Sequence, residues 1–266
     1  YANVTEGSIT YRGVDLLSLS EVERTKVRGH QIAMIFQDSL SALNPVYKVG
    51  KQITEVYARQ KGVSRADARK KALELMDLVR IPDAANRINS FPFQFSGGMR
   101  QRIMIAMSLA LDPDVLIADE PTTALDVTVQ AEIMALLQDI RTERNMSMIL
   151  ITHDMGVVAE NADDVVVMYA GRCIERGTVA GVYASPRHPY TVGLLRAVPK
   201  LEPPTGAQFY IPGAPPTLFT RPDGCPFHPR CPRRQDVCTT VVPPEAELED
   251  GHRTACHNPF PGVSND

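Results

Sequence analysis

The sequence predicts an α/β protein, and three features carry the prediction. Short apolar runs that read as strands alternate with longer segments of helical periodicity. Polar residues gather where those strands end, which is where ligands of such sheets sit. Composition then breaks near residue 185: of 21 prolines, 16 lie at or after Pro186, and four of five cysteines lie between Cys225 and Cys256. The predicted architecture is therefore a largely parallel sheet with helices, followed by 81 residues of a different kind.

In chain order, Gly7 to Gly13 alternates like a short strand bounded by glycines. Gln31 to Phe36 is a more apolar strand that runs into the loop Gln37-Asp38-Ser39. Residues 48–81 read as helical, with Ala68, Ala72, Leu75, Met76 and Val79 on one face and Ser64 with Asp67 as a helix start. Residues 97–111 read as one helix capped by Ser96 and stopped by Asp112-Pro113. Val115 to Ala118 is a buried strand ending at Asp119-Glu120. Val129, Ile133, Leu136, Leu137 and Ile140 mark a helix over about 127–144. Met148 to Ile151 is a strand ending at Thr152-His153-Asp154, and Val165 to Tyr169 is another, which Gly171 turns into Cys173-Ile174-Glu175.

Charge excludes one function class. With 28 basic and 31 acidic residues the net charge is −3, so the surface as a whole is not built to grip nucleic acid. The strongest apolar run, 165–170, is six residues and cannot span a bilayer, and no secretory signal is read at the start.

Two motifs carry chemistry. Ser96-Gly97-Gly98 at a helix start presents backbone N–H groups where the helix dipole is positive, an anion site suited to phosphate; the alternative is an ordinary capped helix. Asp119-Glu120 ends a buried strand, where adjacent carboxylates are costly unless they meet a cation or do chemistry. Strand alternation would send them to different sides, one toward Mg²⁺ and one toward an attacking water; the alternative is a strand end wetted by acids.

The order Gln37, Ser96-Gly97-Gly98, Asp119-Glu120, Ala124-Leu125-Asp126, His153 resembles the ATP-binding cassette (ABC) ATPases, motif by motif: Q-loop, signature, Walker B, D-loop, H-loop. Phe95-Ser96-Gly97-Gly98-Met99 departs from the general LSGGQ form at both ends and is similar to the peptide and nickel importer branch, as are residues 119–126, Ser185 to Thr191 and Ile211-Pro212-Gly213. The resemblance implies an ABC-type P-loop NTPase core (1–38 and 96–185), a helical subdomain (39–95) and a C-terminal extension (186–266). It implies ATP and Mg²⁺ as cofactors, with Glu120 as general base, Asp119 holding Mg²⁺, and His153 orienting water at the γ-phosphate. Gln37 would relay the nucleotide state, Ser96, Gly97 and Gly98 would grip ATP bound on a partner cassette, and Asp126 would cross the dimer interface. The implied partners are a second ABC ATPase domain, two membrane permease subunits and an extracellular or periplasmic substrate-binding protein, with no nucleic acid. The implied place is the cytoplasmic face of the membrane, and the function is ATP-driven uptake of oligopeptides or dipeptides. The competing classes are a soluble ABC ATPase acting on nucleic acid or ribosomes, and a non-catalytic cassette; no heptad run or basic block supports the first of these.

No G-x-x-x-x-G-K-[ST] loop occurs; Gly50-Lys51 is followed by Gln52, and Pro45 stands where the first glycine belongs. The family's phosphate loop is expected upstream of residues 7–12, so these 266 residues alone should bind MgATP weakly and not hydrolyse it at their own site.

Cys225, Cys231, Cys238 and Cys256 follow C-x₅-C-x₆-C-x₁₇-C. The spacing leaves open disulfides, a Cys₄ zinc site and an iron–sulfur cluster. The cytosolic setting of an ATP-driven subunit disfavours disulfides, and zinc usually takes tighter pairs. The resemblance implies a [4Fe–4S] cluster, with zinc as runner-up. Prolines 226, 229 and 232 would stiffen the chain, Arg230, Arg233 and Arg234 would balance the cluster's charge, and His228, His252 and His257 read as solvated loop residues. Cys173 reads as a buried hydrophobe.

Overall fold

The computed structural model describes residues 4–38, 42–198, 209–217, 219–248 and 251–262. Ser39, the end of the predicted loop, lies outside them. The chain divides into two compact units, Tyr1–Thr152 and His153–Asp266.

The first unit opens on a hairpin, β1 (Thr10–Tyr11) and β2 (Val14–Asp15). One strand over 7–13 was expected; the chain instead folds back at Arg12 (φ 47°) and Gly13 (φ 79°), consecutive left-handed residues that make a tight turn. Helix α1 (Glu21–Val27), absent from the sequence reading, starts at a capping box between Ser20 and Glu23. Strands β3 (Ile32–Ile35), β4 (Val115–Asp119) and β5 (Ser147–Ile151) form the expected parallel sheet, with Ile35 beside Ala118 and Asp119 beside Ile151.

The segment 48–81 is two helices, α2 (Val49–Lys61) and α3 (Arg65–Leu78). Gly62 (φ 62°) ends the first and Ser64 caps the second. After the single turn α4 (Ala84–Arg87) comes α5 (Gly97–Ser108), capped by Ser96 and ending before the expected Asp112-Pro113 stop; α6 is Val127–Glu143. One face of the sheet, through Ala33, Ile35, Leu116 and Ala118, is buried beside Ile103, Ile105, Leu136 and Leu137. On the other face Ile149 and Ile151 are exposed, while Ile32, Met34 and Ile117 line an apolar cavity of 570 Å³.

The second unit adds a sheet that the extension joins. Its sheet is antiparallel, β6 (Asp164–Tyr169), β7 (Arg172–Thr178), β9 (Arg253–Thr254) and β8 (Ala246–Glu247) in spatial order. The extension joins that sheet: β9 pairs with β8 and with β7, Glu175 opposite Thr254. Its core is shared too, because Cys225, Phe227 and Cys238 pack with Val167, Tyr169 and Ile174. Helices α7 (Met155–Asn161), α8 (Val179–Ala184) and α9 (Pro189–Ala197) complete the unit.

A fully buried carboxylate ties these pieces together. Glu175 Oε1 accepts from the Arg187 N–H at 2.5 Å and lies 2.7 Å from His252 Nε2; Oε2 accepts from the His188 N–H at 2.9 Å. His252 is thus 3% exposed rather than a solvated loop residue. His188 caps α9, its Nδ1 accepting from the Tyr190 N–H at 3.0 Å, and its burial pushes its pKa down from 6.5 to about 4. Between those values the unfolded chain binds a proton that the folded chain refuses. The contribution is present above pH 6.5 and is lost as pH falls toward 4, at about 1.4 kcal/mol per pH unit. His188→Asn puts a capping oxygen in place of Nδ1 without the titration, so its denaturant midpoint should fall less steeply over that range; parallel pH profiles for variant and wild type would reject this role.

Candidate functional site

The site forms at the carboxyl end of β4. Strand β4 delivers Asp119 still in register with β5, and the Glu120 N–H donates to Ile151 O at 2.9 Å. Glu120 then leaves the strand with φ 44°, so strand alternation does not decide where it points. Its Oε2 accepts from Gln37 Nε2 at 2.7 Å and from Thr123 Oγ1 at 2.8 Å. Gln37 reaches it because β3 runs parallel to β4 and ends on the same side. Two donors on one oxygen fix the orientation of the carboxylate. Thr123 was missed by the sequence reading; its signal is its place in the turn after Glu120, closed by Thr123 N–H to Glu120 O at 3.1 Å.

The signature residues sit at the start of α5. Ser96 Oγ accepts from the Met99 N–H at 3.3 Å, and Ser96 and Gly97 are exposed. A Cβ on Gly98 would stand 2.6 Å from Val129 Cγ1, so α6 packs too close for any side chain there. Asp126 caps α6, Oδ1 accepting from the Val129 N–H at 3.0 Å. Signature and D-loop residues are therefore neighbours through Gly98 and Val129. Arg102, also missed, anchors α5: buried, it donates to Val79 O at 3.1 Å and to Glu132 Oε2 at 2.8 Å. The departure Met99 has its own partner, Arg87 Nη1 donating to its sulfur at 3.6 Å.

His153 opens the second unit and is exposed. Asp154, next to it, starts α7 with Oδ1 accepting from the Gly156 and Val157 N–H groups at 2.8 and 3.2 Å.

These features have counterparts elsewhere. Residues 1–123 match the ABC transporter family, and residues 174–238 match the oligopeptide/dipeptide transporter C-terminal region. The chain is 51% identical over 255 residues to the dipeptide transport ATP-binding protein DppD of Bacillus subtilis, covering 96% of this chain and 76% of that protein. The chain belongs to the ABC transporter family. It is also 49% identical over 253 residues to the oligopeptide transport ATP-binding protein OppD of Salmonella typhimurium, covering 95% of this chain and 75% of that one. Among solved structures, CbiO1 of Clostridium perfringens matches with TM-score 0.60 and 28% identity, over 68% of this chain and 69% of that one. The dimeric cassette MJ0796 bound to ADP and Pi matches with TM-score 0.58 and 28% identity, over 66% and 74%. This is an α/β ABC cassette whose family hydrolyses ATP and uses Mg²⁺. Among the described residues, no helix is long and apolar enough to cross a membrane.

The cysteines of this ABC extension converge. The Cys225, Cys231 and Cys256 thiols are all pushed up by burial, Cys256 to about 11, and Cys256 feels the charge of each of the other three. Backbone N–H groups point at the sulfurs: Phe227 and His228 at Cys225, Arg233 at Cys231, and Asn258 at Cys256 at 3.4 Å. Among the described residues, no group of three or more His, Cys, Asp or Glu stands close enough for one metal ion. The expected arginine shell is only partly there. Arg230 donates to Pro212 O, Ile211 O and Tyr169 Oη, while Arg233 bonds Asn258 and lies close enough to lower the Cys231 thiol. Cys173, in β7, is half-buried, and burial raises its thiol as well.

Proposed function

We propose that this chain is the nucleotide-binding subunit of an importer that couples ATP hydrolysis to uptake of oligopeptides or dipeptides. The match of residues 174–238 to the oligopeptide/dipeptide C-terminal region carries this reading. Glu120 polarises the attacking water, with Gln37 and Thr123 fixing its carboxylate, and Asp119 holds Mg²⁺. Gln37, hydrogen-bonded to that base, reports the state of the site toward the helical subdomain. Ser96, Gly97 and Gly98 hold the γ-phosphate of ATP on a partner cassette, Asp126 crosses that interface, and His153 orients the water.

The partners are a second cassette, two permease subunits and, through them, a substrate-binding protein, which places the chain at the cytoplasmic face of the membrane. A groove of 660 Å³ between α2 and α3, lined by Lys48, Lys51, Arg65 and Arg69, supports the helical subdomain as the docking element. In the extension, Cys225, Cys231, Cys238 and Cys256 would hold a [4Fe–4S] cluster. Cys256 feels the charge of the other three thiols, and the N–H groups aimed at sulfur fit such a cluster. Its contribution is structural, since the extension borrows its core from β6 and β7.

The test is ATP hydrolysis by the complex assembled with its permeases. Peptide-loaded binding protein should stimulate it. Turnover indifferent to peptide, or isolation with ribosomes or DNA instead of permeases, would overturn the reading.

A further inference from the structure

The turn leading into α5 presents an aromatic ring to solvent. Phe93 is 69% exposed, while its neighbours Pro92 and Phe95 are buried. Its ring stacks on that of Phe91, with centroids 5.7 Å apart and planes within 10°. Three hydrogen bonds close the backbone beneath. The Phe91 N–H donates to Gln94 Oε1 at 2.8 Å, Gln94 N–H to Phe91 O at 3.0 Å, and Phe95 N–H to Pro92 O at 3.1 Å. Pro92 fixes its own φ, and the Phe95 ring lies 5.8 Å from the Arg87 guanidinium. Half of an aromatic stack is thus held in place, with its outer π-face open to another planar group.

We propose that Phe93, backed by Phe91, is a stacking platform for the base of the nucleotide whose γ-phosphate rests on Ser96, Gly97 and Gly98. The inference rests on the signature reading above. Phe93 precedes Ser96 by three residues, at most about 10 Å of chain, so platform and phosphate site lie on one edge of the unit. A nucleotide anchored there by its phosphate carries its base outward from Ser96, and an aromatic face stacks any base, the larger purines more strongly. The platform thus gives this cassette a share in selecting a nucleotide bound on its partner.

The test uses the assembled importer. Phe93→Ala should raise the KM for ATP about tenfold, leave kcat within about twofold, and shrink the preference for ATP over CTP. Phe93→Trp should restore both. An unchanged KM and an unchanged ATP-to-CTP ratio in Phe93→Ala would overturn the proposal. So would weakened assembly with the permeases at constant KM, which would assign the ring to a protein contact. Ser96→Asp separates the two readings: it keeps the helix cap but repels phosphate. If it leaves turnover intact, the signature reading fails; if it abolishes turnover while Phe93→Ala is silent, only the platform fails.

Discussion

Replacing Glu120 by Gln in the assembled importer should leave MgATP bound and slow turnover by about 10²- to 10⁴-fold, the usual worth of a general base. The substitution is nearly isosteric. An amide oxygen at the Oε2 position can still accept from Gln37 Nε2 and Thr123 Oγ1, which now stand 2.7 and 2.8 Å away. The turn from Glu120 to Thr123 is held by backbone, so the site keeps its shape. Asp119 is untouched, so the proposed Mg²⁺ ligand remains. Only proton acceptance is lost. Binding is read by nucleotide retention and turnover by phosphate release. Wild-type release from Glu120→Gln would remove Glu120 from the role of base.

The second large effect concerns the extension. Protein purified without oxygen should carry about four irons with matching acid-labile sulfide. Cys256→Ser should lose the iron and make the second unit sensitive to protease, with the first unit's cleavage pattern unchanged. The asymmetry follows from the core: Cys225 and Cys238 pack against Val167, Tyr169 and Ile174, all in the second unit. About one zinc per chain, or no metal, would reject the cluster. The ATPase reading would stand in either case, because Glu120 and its partners lie in the first unit.

What the sequence discloses depends on element length and on whether charge is visible. The helix after Ser96, the strand ending at Asp119 and the strand ending at Ile151 are long enough to show their period, and each appears within three residues of expectation. The hairpin at 10–15 and strands β8 and β9 have two residues each and no period to read. That is why the pairing of β9 with β7 and β8 stays hidden, whereas β6 and β7 with their Gly171 turn are legible. Glu175 and His252 read as surface residues by type; their burial follows from meeting each other and two backbone N–H groups, a long-range fact. In the candidate site, the Gln37 and Glu120 contact follows from motif order, whereas Thr123 becomes visible only once Glu120 turns out of the strand.

The pairing of β7 with β9 also orders events during synthesis. Residue 175 must wait for residue 254 before its strand gains that neighbour, whereas β3, β4 and β5 have all been made once residue 151 has emerged. On the ribosome, the first unit can therefore begin to fold while the second is still being made. The second unit, with its buried Glu175 left without His252 until residue 252 has been made, acquires its structure late. Slow or interrupted translation beyond residue 200 would thus leave a folded first unit joined to an unfinished second one, a natural substrate for quality-control proteases.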